Sequence, residues 1–490
     1  MPSCTPCRKW GIRCEYNNNP EPAVPASSGV SLPATSKPPI SRDDAPSEAQ
    51  ISVTSQIAEM PSKEVILDLA DIFLSRFRAQ IPCFHERRLQ ESIEHGEIQA
   101  NAPVLVYIII AMAARDHTDE SIRCQERGWY TNAKLAFDLT THDSEPALRI
   151  LQAAACLIYY ANIVRDVSPL WIFLGKAWRL ACSHGYNRID TKRENAPAFA
   201  SPASSEVERE ERRRTMWTLF MFDRGGSFGI GWPHAINEKY FVVNQPLDDR
   251  AFQTDELGSS IVSATPDPLR ILTTTYKIAG RVEEHTHILE VPDDLKAYQR
   301  EFRQLDADII AVAGQSTEQI RNLRSLSPRN QFQVVWAHVL IHTAIVILHH
   351  RPLEDWAIIS EGSTDTSSLE ECHERHFQHC LHITDTIVQL AKSLKGSFWG
   401  LLMNPQIGSP LYIFGRLLII CWHDTQDLKY KQDIDLIIVL FENFTGVYQG
   451  LGQRYVEEMR RDFALDSNSI QRMRALGSKG GVSGCQKLRG

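Results

Sequence analysis

Long apolar runs are missing from these 490 residues. The longest lies near Val104–Ala114 and is too short to span a bilayer. The longer stretch Val334–Leu348 is interrupted by His338 and His342. Both read as buried helices of a soluble protein. Strand-like alternation is also absent, and so is any internal repeat. Cysteine is sparse: eleven residues, scattered except for one N-terminal group, make no disulfide scaffold. They point to a reducing compartment and to buried free thiols. Positive charge is in deficit, with 52 Lys and Arg against 60 Asp and Glu and a net charge of -8. Such a chain does not coat nucleic acid over its whole surface, so any DNA contact must lie in a short basic module. The start MPSCTPCRKW has no apolar signal region, which argues against secretion.

What is present divides the chain. Residues 17–60 are rich in Pro, Ser, Ala and Asn and poor in large apolar side chains. They cannot bury enough surface to offset their ordering entropy, and read as a disordered linker. They show no heptads, which argues against a coiled coil there. From residue 61 onward the pattern is helical. Val65, Ile66, Leu69, Ile72, Phe73 and Phe77 share one face behind a Ser62 cap, and Pro82 ends the element. Further helices are predicted over 103–115, 145–164, 170–184 and 206–224. A polar break at 251–268 precedes helices at 331–350, 370–394, 410–422 and 434–454. The expected organisation is 1–16 as a separate module, 17–60 as linker and 61–250 as a first helical domain. A loop at 251–268, a second helical block at 269–462 and a mostly disordered tail at 463–490 follow. The fold class is all-α.

The N-terminal module is CTPCRKWGIRCEY, residues 4–16. Cys4, Cys7 and Cys14 form a C-x2-C-x6-C array. A C-x2-C pair lets a tight turn present two thiolates to one metal, and the x6 spacing lets a short helix bring the third. Three thiolates are one fewer than a tetrahedral zinc ion requires. Arg8, Lys9 and Arg13 sit between them and suit phosphate contact.

The array resembles the second half of the fungal binuclear zinc cluster, in which six cysteines hold two zinc ions. The resemblance implies Cys4 as a bridging thiolate and Cys7 and Cys14 as terminal ligands. It implies a weak or incomplete zinc site in this chain alone, and two zinc ions if an upstream half-cluster exists. A second, independent likeness lies at 209–249, REERRRTMWTLFMFDRGGSFGIGWPHAINEKYFVVNQPLDD. It resembles the middle homology domain of fungal transcription factors, through Trp217, Asp223, Arg224, Gly231, Pro233, Ala235 and Ile236; Trp232 stands where that family usually has Arg. LWIFLGKAWRLACSHGYNR resembles the family's small-residue helix through Gly175, Ala177, Ala181 and Gly185. IPCFHERRL, residues 81–89, resembles another of its segments.

The resemblance implies a nuclear zinc-cluster transcription factor acting on metabolic genes, which include secondary-metabolite genes in many family members. Its partners would be DNA if the cluster is completed upstream, the transcription machinery, and a small-molecule effector, with no membrane and no enzymatic activity. The alternative is a regulatory helical protein that binds a ligand or partner without DNA. A remote alternative is a hydrolase using Ser227, because GGSFG fits G-x-S-x-G. That elbow belongs between a strand and a helix, and here it follows a long helix. CHERHFQHCLH, residues 372–382, puts Cys372, His376, His379 and Cys380 at metal-like helical spacings. It reads better as an amphipathic helix with Cys380 buried and its histidines toward solvent. Arg212, Arg213 and Arg214, preceded by Glu206, Glu208, Glu210 and Glu211, read as a solvated and internally paired face.

Overall fold

Helices apolar on every side must be surrounded by protein, and three of them organise this molecule. The computed structural model describes residues 59–142, 144–191, 202–228, 231–257, 267–287, 292–360, 366–394 and 396–478. Among these residues there are helices and turns and no strand, an all-α fold. The N-terminal layer holds α1 (Lys63–Phe77), α2 (Glu86–Glu94), α3 (Pro103–Ala114), α4 (Glu126–Asp138), α5 (Ala147–Val164) and α6 (Val167–Ser183). The long α7 (Glu206–Ser227) follows. Then come α8 (Pro268–Thr286), α9 (Leu295–Arg321), α10 (Pro328–His349), α11 (Leu353–Ile359) and α12 (Thr366–Ser393). The chain finishes with α13 (Gly408–Thr425), α14 (Leu428–Val447), α15 (Gln449–Phe463) and α16 (Ser467–Ala475).

Helix α10 is the central post. Pro328 opens it, where a missing N–H costs nothing, and Ser327 caps it by accepting from the Asn330 N–H at 3.3 Å. It packs against α8, α9, α12 and α13. Helices α5 and α10 are long and apolar enough to cross a membrane by length and composition alone, yet 83% and 100% of these stretches is buried inside the protein. Each fully buried Leu, Ile or Val contributes about 1.5–3 kcal/mol. The two histidines that interrupt the apolar pattern are accommodated as neutral groups. His338 Nδ1 lies 3.0 Å from Ser316 Oγ, and His342 Nδ1 lies 2.7 Å from the His338 carbonyl. Burial pushes both imidazoles below their ordinary pKa.

One hydrophobic core runs from Phe73 on α1 through Trp336 on α10 to Met473 on α16, so the two helical blocks share it. Several boundaries differ from the sequence expectation. Helix α1 stops at Phe77 and not at Pro82, because the chain turns there to bury Ile81, Cys83 and Phe84. The predicted helix over 434–454 is broken at Tyr448, where α15 folds back on α14. The stretch beyond 463 carries α16, capped by Asp466 and packed on α13 through Ile470 and Met473. Seven free cysteines occur among the described residues, and Cys83, Cys156, Cys380 and Cys421 are buried.

The fold-back at Tyr448 depends on Gly452. A Cβ there would lie 2.2 Å from the Thr445 nitrogen and 2.6 Å from the Phe444 carbonyl carbon. Both are backbone atoms that cannot swing aside. Gly452→Ala is expected to lower stability by about 1–3 kcal/mol in chemical denaturation. An unchanged midpoint would show that α14 and α15 separate easily.

Candidate functional site

Helix α7 carries ten charged side chains, and six of them are buried. Ser205 caps it by accepting from the Glu208 N–H. Acids fill the first turns and arginines follow, in accord with the helix dipole. Glu210, Glu211 and Arg214 are fully buried and Arg213 nearly so. The face is paired, as expected from sequence, but it is not solvated. Its partners come from distant segments that local spacing does not reveal.

Glu210 Oε1 accepts from Arg214 Nε at 3.0 Å and from the Leu247 N–H at 2.8 Å. Its other oxygen pairs with Arg213. Arg214 continues outward, donating to Asp249 Oδ1 at 2.8 Å and to the Leu247 carbonyl at 2.7 Å. Asp249 also takes Arg329 of α10 at 2.6 Å. Arg213 grips Asp190 through two bonds of 2.9 and 2.7 Å, and Asp190 accepts the Asn244 N–H at 2.8 Å. Glu211 gathers Arg88 of α2 at 2.9 Å and Arg149 of α5 at 3.3 Å. One helix therefore ties down α2, α5, α10, the turn around 190 and the extended stretch 237–249. Burial opposes ionisation of Asp190 and Asp249. The arginine partners outweigh it and hold both carboxyls below their ordinary value.

The C-terminal end of α7 makes a second clamp. Asp223 accepts the N–H groups of Ala235 and Ile236 at 2.9 and 3.0 Å. Arg224 pairs with Asp223 and donates to the Ile236 carbonyl at 2.9 Å, with its guanidinium 4.2 Å from the Phe220 ring. Gly280 on α8 makes room for it, since a Cβ there would sit 2.5 Å from Arg224 Cδ. Gly231 turns the chain with a φ of +77°, a left-handed value that glycine accepts freely. His234 then bridges Glu284 at 2.9 Å and Glu283 at 3.3 Å on α8. Trp217 Nε1 donates to the Asn244 carbonyl at 2.7 Å. Ala177 and Ala181 of the small-residue helix are fully buried, and Gly185 ends it at a φ of +73°. Trp232, at the departing position, is 40% exposed and meets Trp171 edge to face. These side chains pair with one another and with backbone, an arrangement that holds segments together.

The other candidates from sequence fall as follows. Cys4, Cys7 and Cys14, with Arg8, Lys9 and Arg13, lie outside the described residues. Ser227 is buried at the end of α7, its hydroxyl donating to the Asp223 carbonyl at 3.1 Å, in no strand-to-helix turn. On α12, His376 stacks on Trp356 and its Nδ1 lies 2.9 Å from His349 Nδ1, while His349 Nε2 lies 3.0 Å from Asp306. His379 is exposed beside His349, and Cys380 is buried against α10. Burial, with His349 close by, pushes His376 down to about 3. Among the described residues no three His, Cys, Asp or Glu side chains form a group that could hold a metal ion.

The clamp residues Trp217, Asp223, Arg224, Gly231, Ala235 and Ile236 fall within a match of residues 70–304 to a family described as the fungal specific transcription factor domain. Residues 70–304 thus resemble the fungal specific transcription factor domain. The chain is similar to the pigment biosynthesis transcriptional activator pigB of Monascus ruber, 24% identical over 71% of this chain and 64% of the relative. It is also similar to the Zn(2)-C6 fungal-type transcription factor FTF1c of Fusarium oxysporum f. sp. lycopersici, 28% identical over 45% of this chain and 25% of the relative. A transcriptional regulatory protein of Schizosaccharomyces pombe is 26% identical over 55% of this chain and 28% of its own length. The chain thus spans less than two thirds of each relative. The residues that carry the sequence resemblance are the clamp that fixes the path of 231–249. Sequence reasoning found α7 and its Asp-Arg pair but missed Asp190, Asp249, Arg329 and Arg88, which carry no local signal.

Removing one partner of a buried pair leaves the other charge uncompensated. Asp249→Asn strips the carboxylate from two buried guanidiniums and is expected to cost about 3–5 kcal/mol in urea denaturation. A loss below about 1 kcal/mol would mean that Arg214 and Arg329 find other partners. His234 supplies a pH signature. Burial works against its imidazolium, but Glu283 and Glu284 outweigh that and raise its pKa above the ordinary 6.5. A raised pKa stabilises the fold fully below 6.5 and loses that contribution as pH climbs through the folded value. The stability gap between wild type and His234→Gln should be largest at pH 6, about 1–3 kcal/mol, and shrink in alkali. A gap independent of pH would show that His234 is neutral in the fold.

Proposed function

We propose that this chain regulates transcription in a fungal nucleus. The observation that supports this best is the α7 clamp, lying inside the stretch matched to the transcription factor domain and built from the residues that carry the sequence resemblance. Relatives similar to this chain are named as a transcriptional activator and as a Zn(2)-C6 fungal-type transcription factor. The activator's name refers to pigment biosynthesis, and metabolic genes are the proposed targets here.

On this reading Cys4, Cys7 and Cys14 would hold zinc, which folds such a module by cross-linking it. Six cysteines make the full cluster, so a second group of three completes it. Arg8, Lys9 and Arg13 would then meet DNA phosphates and set the register of the module on the duplex. The net charge of -8 favours a division of labour in which DNA contact is confined to that basic stretch. A second reading follows from the same three thiolates. Without completion of the cluster, the helical domain would act through a partner and leave DNA untouched.

Two arms separate these readings. Fusing the whole chain to an unrelated DNA-binding domain should change a reporter gene's transcription at least fivefold. A folded, nuclear fusion that leaves the reporter silent overturns the transcriptional proposal. In the second arm, the unfused chain is tested for DNA retention in the presence of zinc, with Cys4→Ser and Cys7→Ser as controls. Retention lost in both variants supports DNA contact, and no retention with an active fusion selects the partner-dependent reading.

A further inference from the structure

A cavity of about 340 Å³ opens at the seam between the N-terminal layer and the C-terminal helices. Its walls are Phe77 of α1, Met112 of α3, Tyr160 of α5 and Phe332 of α10, closed by Met403 and Tyr448. At its mouth stand Arg76, Arg115 and Asp116, with Gly400 on the opposite lip. This volume is at the small end of ligand pockets, which are apolar cavities with a few placed polar groups. It suits one or two fused rings against aromatic and thioether walls.

The hydrogen-bonding inventory at the mouth decides what else the occupant carries. Asp116 is engaged through both oxygens by Arg76, at 3.0 Å to Nε and 3.3 Å to Nη2. Glu126 takes Arg115 at 2.6 Å and also the Tyr160 hydroxyl. A guanidinium has five N–H donors. Asp116 uses two of those on Arg76 and Glu126 one of those on Arg115, so the mouth has carboxylates engaged and donors to spare. Arg76 is 49% exposed, and a pair so exposed is worth about 0–1 kcal/mol. It can turn toward an incoming anion at little cost. Arg115 is held 5.9 Å from the Tyr160 ring. Burial opposes its charge, but its partners, Glu126 foremost, raise its pKa, so it stays cationic.

We propose that this cavity binds a small aromatic carboxylate, its rings between Phe77, Tyr160 and Phe332 and its carboxylate on Arg76. Its regulatory meaning, as the effector of a transcription factor, rests on the reading given above. Bound there, the acid bridges helices of the N-terminal layer to the turn at 400–403 and the end of α14.

Fluorescence titration of the purified full chain with 2-naphthoate, and with the neutral 2-naphthamide, tests the site. The expected result is one saturable site that prefers naphthoate at least tenfold, with Arg76→Gln erasing the preference. Gly400→Phe should weaken both ligands at least tenfold. A Cβ at Gly400 meets nothing within 4 Å, so this plug is expected to leave helix content and melting unchanged. Non-saturable binding, or binding untouched by Gly400→Phe, overturns the site. Equal affinity for both ligands overturns the carboxylate assignment. Because the titration reads isolated protein, naphthoate binding with a silent reporter fusion counts against the transcriptional reading alone. An active fusion without binding counts against the site alone.

Discussion

A guanidinium removed from water must keep a carboxylate beside it, and the architecture around α7 follows from that constraint. Arg214 is fully buried, so Glu210 and Asp249 must both reach it. Asp249 opens a helix of only five residues, Asp249–Gln253, at the end of a stretch that crosses α7 without a long helix. Its placement is settled by the ion pairs with Arg214 and with Arg329 of α10. The same logic ties Asp190 to Arg213 and Glu211 to Arg88 and Arg149. Such networks do not add much net stability over an apolar core of equal volume, because desolvation offsets the attraction. What they exclude is alternatives: any other path for 237–249 would strand a charge in the core.

That distinction explains how far the sequence could be read. Helix positions were legible because apolar side chains recur at helical spacing and because Ser62, Pro328 and Gly185 mark ends by local chemistry. The Asp223–Arg224 pair and Gly231 were legible through family likeness. The burial of Arg213 and Arg214 was not. Four acids within one or two turns offer a complete set of local partners, and nothing nearby announces Asp190 or Asp249. The break at Tyr448 was hidden for a related reason. The residues on either side continue a helical period, and the reversal needs the close approach to the Thr445 backbone that Gly452 allows. Helix α16 was missed because Ile470 and Met473 are its only deeply buried apolar residues, too few for a period to show.

The histidines teach a similar lesson about context. At helical spacing on α12 they imitate metal ligands. In the fold, His376 is absorbed by Trp356 and His349, while His379 faces outward. Asp306 fixes His349 from a third helix, and the set serves packing between α9, α10 and α12. On α10, His338 and His342 occupy core positions as neutral, hydrogen-bonded groups. Residue type and spacing named a possible chemistry in both cases, and the neighbours determined its use.

The two polar systems of the domain differ in stiffness, and this bears on how it could respond to a ligand. Around α7 the charges are buried and interlocked through four or more segments, so a shift of any one breaks several bonds together. At the seam the Arg76–Asp116 pair is half-exposed and worth little. A ligand can shift an equilibrium only by its differential affinity for two states, and small binding energies move soft contacts more readily than locked ones. On the proposed binding, an acid in the seam cavity would act on the Arg76–Asp116 contact and leave the interlocked charges around α7 in place. The family motif then marks the rigid part of the domain. The cavity proposed to take the ligand lies among Phe77, Tyr160, Phe332 and Tyr448, outside the residues that carried the family likeness.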